Sequence, residues 1–337
     1  MTTCGWPTIS PSTEGLDVSL RSTRRASLAA LIIALIPVGG CSSNDDDSTE
    51  APSETSAPSS TPADISADEE FEELERTYDA RLGVYAVDTG TEQEIEFRAD
   101  ERFGHASTFK ALLCGVVLQQ SSLDDLDRVI TYTSDDLVYW SPVTEGNVDT
   151  GMSIRELCDA AVRYSDNTAT NLLLDEIGGP RALQEVLREN GDDVISTDRY
   201  ETEMSEAVPG DTRDTSTPRS IGTSLRTFVL DGALPEDARA MLTEWLVGNT
   251  TGADLIRAGV PDDWVVGDKT GNGGYGTRND IAVAWPPDGD PVVIAVLSSR
   301  DQDGADHDDQ LIADAAEVIV DALTEASTDC RSWPRCP

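Results

Sequence analysis

The chain has 337 residues, with 64 acidic against 24 basic side chains and a formal net charge of −40. That length suits one large or two medium domains with a substantial core. So negative a surface repels phosphate backbones and anionic headgroups, which argues against nucleic acid as a partner; solubility, as in a salty habitat, is reason enough for the acidity.

Taken in chain order, residues 1–41 read as an export signal. Arg21, Arg24 and Arg25 precede a short apolar stretch, Ala26 to Val38, too short to span a bilayer comfortably. It ends in Val38-Gly39-Gly40-Cys41, which resembles a lipobox and makes Cys41 the expected lipidation site. Ser22-Thr23-Arg24-Arg25 also resembles a twin-arginine signal, so export runs by that route or by general secretion. Residues 42–67 are mostly Ser, Thr, Pro and acids, the composition of a disordered tether.

The folded domain is expected over 68–327, with 328–337 as a tail. A helix at 69–80 precedes a hairpin in which Leu82, Val84 and Ala86 alternate and Asp88-Thr89-Gly90 turns the chain into 94–98. Phe109, Leu112, Leu113, Val116 and Val117 then mark one apolar face of a buried helix. Further helices are predicted over 153–164, 167–177, 180–190, 218–230 and 235–247, followed by strands at 264–269, 280–285 and 292–298. A last helix carries Leu311 to Leu323. Strands at both ends with helices between them predict an α+β fold: a five-stranded antiparallel sheet built from both termini and flanked by helices, with an all-helical lobe inserted. The α/β lobe would comprise about 68–104 plus 250–327, and the helical lobe 105–249, with a site at their seam.

Only two lysines occur, Lys110 and Lys269, among 24 basic residues. Lysine can give up its proton in a suitable site, whereas arginine stays charged. Both lie in motifs. In Ser107-Thr108-Phe109-Lys110 the amine lies one helical turn after the hydroxyl and within its reach, and a helix start favours developing negative charge. Ser165-Asp166-Asn167 lies in a loop between helices, either as a helix cap or with Ser165 relaying a proton and Asn167 holding a substrate amide. Lys269-Thr270-Gly271 ends a strand, where Lys269 would attract a carboxylate and Gly271 would let substrate lie along the edge.

These motifs, in this order, resemble class A serine β-lactamases, and the likeness covers roughly residues 69–325. The resemblance implies hydrolysis of β-lactam antibiotics through a serine acyl-enzyme, with no cofactor and no metal, by a monomer. Arg199 to Ser205 and Pro209 to Asp214 match that family's omega loop, with Arg199 and Asp214 as its clamping ion pair. By resemblance Ser107 is the nucleophile, with Lys110 and Ser165 as proton carriers. Glu201 activates the deacylating water and competes with Lys110 for the role of acylation base. The backbone N–H groups of Ser107 and Asn272 form the oxyanion hole. Trp140 lies at the entrance, and Asn167, Ser205, Lys269, Thr270, Gly271, Asn272 and Arg278 line the substrate site, Arg278 helping with the carboxylate. Ser205 stands where the family usually has Asn, and Asn272 where a smaller side chain is common. Resemblance also implies a disulfide between Cys114 and Cys158; Cys330 and Cys336 are candidates to close a small loop in the tail. Of the two histidines, His105 reads as structural. The rival readings are a penicillin-binding peptidase, against which Glu201 argues, and a slow-turnover β-lactam-binding lipoprotein. The expected location is the outer face of the membrane, held only through the lipid on Cys41.

Overall fold

The computed structural model describes residues 66–332, and side chains through 325. Cys41, its signal, nearly all of the linker, the Cys330 side chain and Cys336 lie outside the described residues. Five strands form one antiparallel sheet: β1 (Arg81–Asp88), β2 (Gln93–Phe97), β3 (Val265–Asn272), β4 (Arg278–Trp285) and β5 (Val292–Ser299). The order is β2-β1-β5-β4-β3, so strands from both ends of the chain interleave and β3 is an edge. Ala86 faces both Ile95 and Ile294, and Thr270 faces Asp280. The Asp88 carboxylate accepts the N–H groups of Gly90 and Thr91 at 2.8 and 3.1 Å, closing the predicted turn.

The sheet is buried on both faces, and the strand period of two divides its side chains. Leu82, Val84, Ile294 and Val296 pack with α1 (Asp68–Tyr78), the short α8 (Ile256–Gly259) and α9 (Asp309–Ser332). Tyr85, Val87, Val293 and Leu297 face the helices between the strands: α2 (Phe109–Gln120), α3 (Ile154–Arg163), α4 (Asn167–Ile177), α5 (Pro180–Glu189), α6 (Pro218–Val229) and α7 (Glu236–Val247). Each fully buried Leu, Ile or Val contributes about 1.5–3 kcal/mol. Local sequence sets the helix ends. Ser153 and Glu156 form a capping box on α3, Asp166 caps α4 by accepting the Ala169 N–H, and Gly178 at φ +99° ends α4 before Pro180 opens α5.

Helix α2 is buried, as its apolar spacing predicts: every residue from Phe109 to Leu118 is enclosed, Lys110 included. One expectation is corrected: the disulfide is not formed. Cys114 and Cys158 are buried free thiols, with Cys114 Sγ 3.8 Å from the Cys158 carbonyl. Burial and contact with Cys114 push the Cys158 thiol up, which keeps it protonated. Among the described residues no helix is long and apolar enough to cross a membrane.

Candidate active site

Ser107 lies in a 3₁₀ turn, Ala106–Thr108, that runs straight into α2. Ala106 before it adopts φ +45°, as do Trp140 at +62° and Ser165 at +57°. Left-handed backbone costs a non-glycine residue about 1–2 kcal/mol, so the surrounding packing holds all three of these turns in place. The edge strand β3 passes directly behind Ser107: a Cβ on Gly271 would lie 3.1 Å from the His105 carbonyl and 3.3 Å from Ala106 Cβ. Gly271 thus permits the approach that brings the Asn272 backbone beside the serine turn.

The side chains form one connected polar network. Ser107 Oγ donates to Glu201 Oε1 at 3.4 Å, and Lys110 Nζ lies 3.1 Å from the same oxygen. Neither side chain of the Lys110–Glu201 pair is exposed to solvent. Lys110 also donates to Asn167 Oδ1 at 2.5 Å and to the Ser165 carbonyl at 3.0 Å. The hydrogen bond of the nucleophile candidate therefore runs to Glu201, while the lysine expected to reach it has three other acceptors. On the far side, Lys269 Nζ donates to Ser165 Oγ at 3.1 Å and to the Thr270 carbonyl.

Burial lowers the pKa of both lysines, since a desolvated ammonium is disfavoured. Lys110 moves down despite the opposing pull of Glu201, and Lys269 is pushed down to about 7, first by burial and then by the Lys110 charge. Lys269 is thus brought to a range in which it exchanges protons near neutral pH.

Glu201, 3 % exposed, is held from three directions. Ser205 Oγ donates to its Oε2 at 3.0 Å, so the shorter residue still grips the carboxylate. Asn171 brackets its backbone, donating to the Glu201 carbonyl at 2.8 Å and accepting its N–H at 2.9 Å. Asp214 clamps the start of the loop by accepting from the N–H groups of Asp198 and Arg199 and from Arg199 Nε, the last at 2.6 Å. Sequence reasoning missed Asn171. The signal was available, because it follows Asn167 by four residues on the same face of α4.

The remaining residues line the rim. Trp140 is 53 % exposed, its indole N–H bonded to the Tyr164 carbonyl. Asn167 Nδ2 donates to the Tyr139 carbonyl, which ties that rim to the lysine network. Thr270 Oγ1 pairs with Thr251 Oγ1 at 2.6 Å. Arg278 Nε donates to Asp309 Oδ1 at 2.5 Å, a partner 31 residues away that no spacing rule announces. Asn272 is exposed, and its amide meets His307. His105 is buried with both ring nitrogens against backbone carbonyls, of Ala106 and Ser196. Among the described residues no group of three or more His, Cys, Asp or Glu is arranged to hold a metal ion.

Residues 66–323 match the model of the beta-lactamase enzyme family. A beta-lactamase of Bacillus licheniformis is 51 % identical over 295 residues, covering 88 % of this chain and 94 % of its own. A halotolerant bacterial beta-lactamase of known crystal structure is 55 % identical with a TM-score of 0.75, over 77 % of this chain and all of its own. The class A beta-lactamase of Clostridium kluyveri is 48 % identical with a TM-score of 0.74, over 76 % and 98 %.

Proposed function

As a member of the β-lactamase enzyme family, of class A, the chain hydrolyses β-lactams through a serine acyl-enzyme, and we propose that Ser107 is the acylated residue and Glu201 the base. One observation carries this reading: Ser107 Oγ and Lys110 Nζ converge on the same buried oxygen of Glu201, at 3.4 and 3.1 Å.

In acylation, Ser107 Oγ attacks the ring carbonyl as its proton passes to Glu201, directly or through one water. The backbone N–H groups of Ser107 and Asn272 receive the developing oxyanion, a contribution worth about 10²–10³ in rate per donor. The ring C–N bond breaks, and the leaving nitrogen takes a proton from Ser165. Lys110, 3.1 Å from Glu201 and bonded to the Ser165 carbonyl, carries the proton that Glu201 took from Ser107 on to Ser165, whose hydroxyl Lys269 holds, so Glu201 is a carboxylate again. Deacylation reverses the roles: Glu201, held by Ser205, takes a proton from a water that attacks the ester, and Ser107 regains its proton as the product carboxylate leaves. General-base assistance of this kind contributes about 10²–10⁴-fold. Lys269 and Arg278 attract the substrate carboxylate, and Trp140, Asn167, Thr270 and Gly271 frame the substrate.

We further propose that the enzyme acts as a monomer on the outer face of the membrane, anchored through lipidated Cys41. The lipobox-like Val38 to Cys41 supports that placement. Intact-mass analysis of the chain made in its own host and mixed with penicillin tests both ideas. Ser107→Ala should show no adduct, Glu201→Gln should accumulate a persistent one, and Cys41→Ser should lose the mass of the lipid. An adduct on Ser107→Ala would remove the nucleophile from this scheme.

A further inference from the structure

His307 belongs to none of the motifs above, yet its ring touches Asn272, which faces substrate, and Asp309, the partner of Arg278. Nδ1 lies 3.4 Å from Asn272 Nδ2, and Nε2 lies 3.9 Å from Asp309 Oδ1, the oxygen that accepts from Arg278 Nε at 2.5 Å. The side chain is 41 % exposed, open to solvent protons. An amide nitrogen only donates, so the contact with Asn272 requires Nδ1 to accept, which places the proton of the neutral ring on Nε2, facing Asp309.

We propose that His307 is a pH-linked positioning residue for the substrate carboxylate, acting through Asp309 and Asn272. Protonation changes both contacts. Nδ1 gains a hydrogen and can no longer accept, so the Asn272 amide must turn to present its oxygen. At Nε2 a full positive charge then faces Asp309 and competes with Arg278 for that carboxylate. Arg278 is less neutralised, one more cation stands at the rim, and an anionic substrate is held more tightly.

The other charges around His307 do not reproduce this coupling. Asp306 and Asp308 flank it in sequence, and the Asp306 carbonyl is taken by the Arg300 guanidinium from the end of β5. The β3–β4 turn contributes Tyr275, whose carbonyl accepts the Arg300 N–H at 2.7 Å. Lys269 on β3 titrates in a nearby range, and a variant at His307 leaves it intact.

This inference rests on reading Arg278 and Asn272 as substrate-facing. It is tested by comparing the wild-type enzyme with His307→Gln, which keeps a polar side chain without a proton to gain; His307→Asn serves as a second variant. Hydrolysis of a penicillin and of its methyl ester is followed between about pH 5.5 and 8.5. The ratio of wild-type to variant kcat/KM for the penicillin should rise on the order of three-fold toward acid, the scale of one added half-exposed charge. The rise should come through KM. The ester, lacking the carboxylate, should show a flat ratio. A flat ratio for the penicillin, or an equal rise with the ester, overturns the inference while leaving the Ser107 reading intact. No hydrolysis by either enzyme at any pH overturns both.

Discussion

At Glu201 a single carboxylate is divided between two tasks. Oε1 receives Ser107 and Lys110, and Oε2 receives Ser205. A carboxylate has lone pairs for all three, so each oxygen can serve a different proton without the side chain moving. Lys269 is the residue whose charge state matters most near neutrality. Its pKa lies at about 7 in the fold against an ordinary 10.5, so the folded protein binds fewer protons than the unfolded chain between those values. Stability from this group therefore rises with pH across that window and is lowest below pH 7, where the buried amine must be charged. Substrate attraction has the opposite sign, because it needs the ammonium. We expect kcat/KM for carboxylate-bearing β-lactams to fall as pH rises above about 7, since that ratio reports the free enzyme. Lys269→Arg, which keeps its charge, should carry the alkaline limb upward by at least one pH unit (about 1.4 kcal/mol of bias toward the cation). A pH–rate profile on both enzymes checks it.

Among the elements, the loop that carries Glu201 does not support itself. Its start is clamped by Asp214, its middle is bracketed by Asn171 on α4, and its later part leans on the β3–β4 turn. There Gly274 N–H donates to the Ser205 carbonyl at 2.9 Å. A Cβ on Gly274 would lie 2.3 Å from the Glu206 carbonyl, which is backbone and cannot step aside as a side chain end could. Gly274→Ala should therefore displace Ser205 and Glu206 together and loosen the hold on Glu201 Oε2. Deacylation should suffer more than acylation: kcat should drop about ten-fold or more, equivalent to roughly 1.4 kcal/mol, with acyl-enzyme visible by mass at steady state. An equal loss in both steps would show that the turn supports Ser107 rather than the loop.

Over the whole molecule the charge is lopsided, −40 in 337 residues. Local ion pairs such as Arg98–Glu75 and Arg226–Glu92 are exposed and worth little each, while the excess acids repel one another throughout. Salt weakens both effects, but the unpaired excess is larger, and at 0.1 M the screening length is already about 10 Å. Raising NaCl from low millimolar to molar concentration should raise Tm by several degrees, where about 1 kcal/mol corresponds to 2–4 °C at this size. A Tm that falls with salt would mean that the ion pairs outweigh the repulsion.

Much of the architecture was legible because it is local. The alternation of Leu82, Val84 and Ala86, the caps at Ser153 and Asp166, and the break at Gly178-Gly179-Pro180 each act over a few residues, and the helices and five strands follow them closely. The reactive residues were legible for a different reason: two lysines in an arginine-rich chain mark the places where a losable proton matters, and the ordered motifs around them resemble one family. What the sequence by itself determined is therefore which segments form and which side chains could do acyl-transfer chemistry. Only the tertiary structure decided how those side chains are paired. The burial of α2 was legible, but which distant neighbours enclose it, and that Lys110 is enclosed with it, was not. Cys114 and Cys158 were matched by position, but both are buried free thiols in the fold. Lys110 was expected at Ser107 and is bonded to Glu201, Asn167 and Ser165. Asp309 and His307 reach Arg278 and Asn272 across some thirty residues. Contacts over such separations follow from how layers stack, and no periodicity in the chain encodes them.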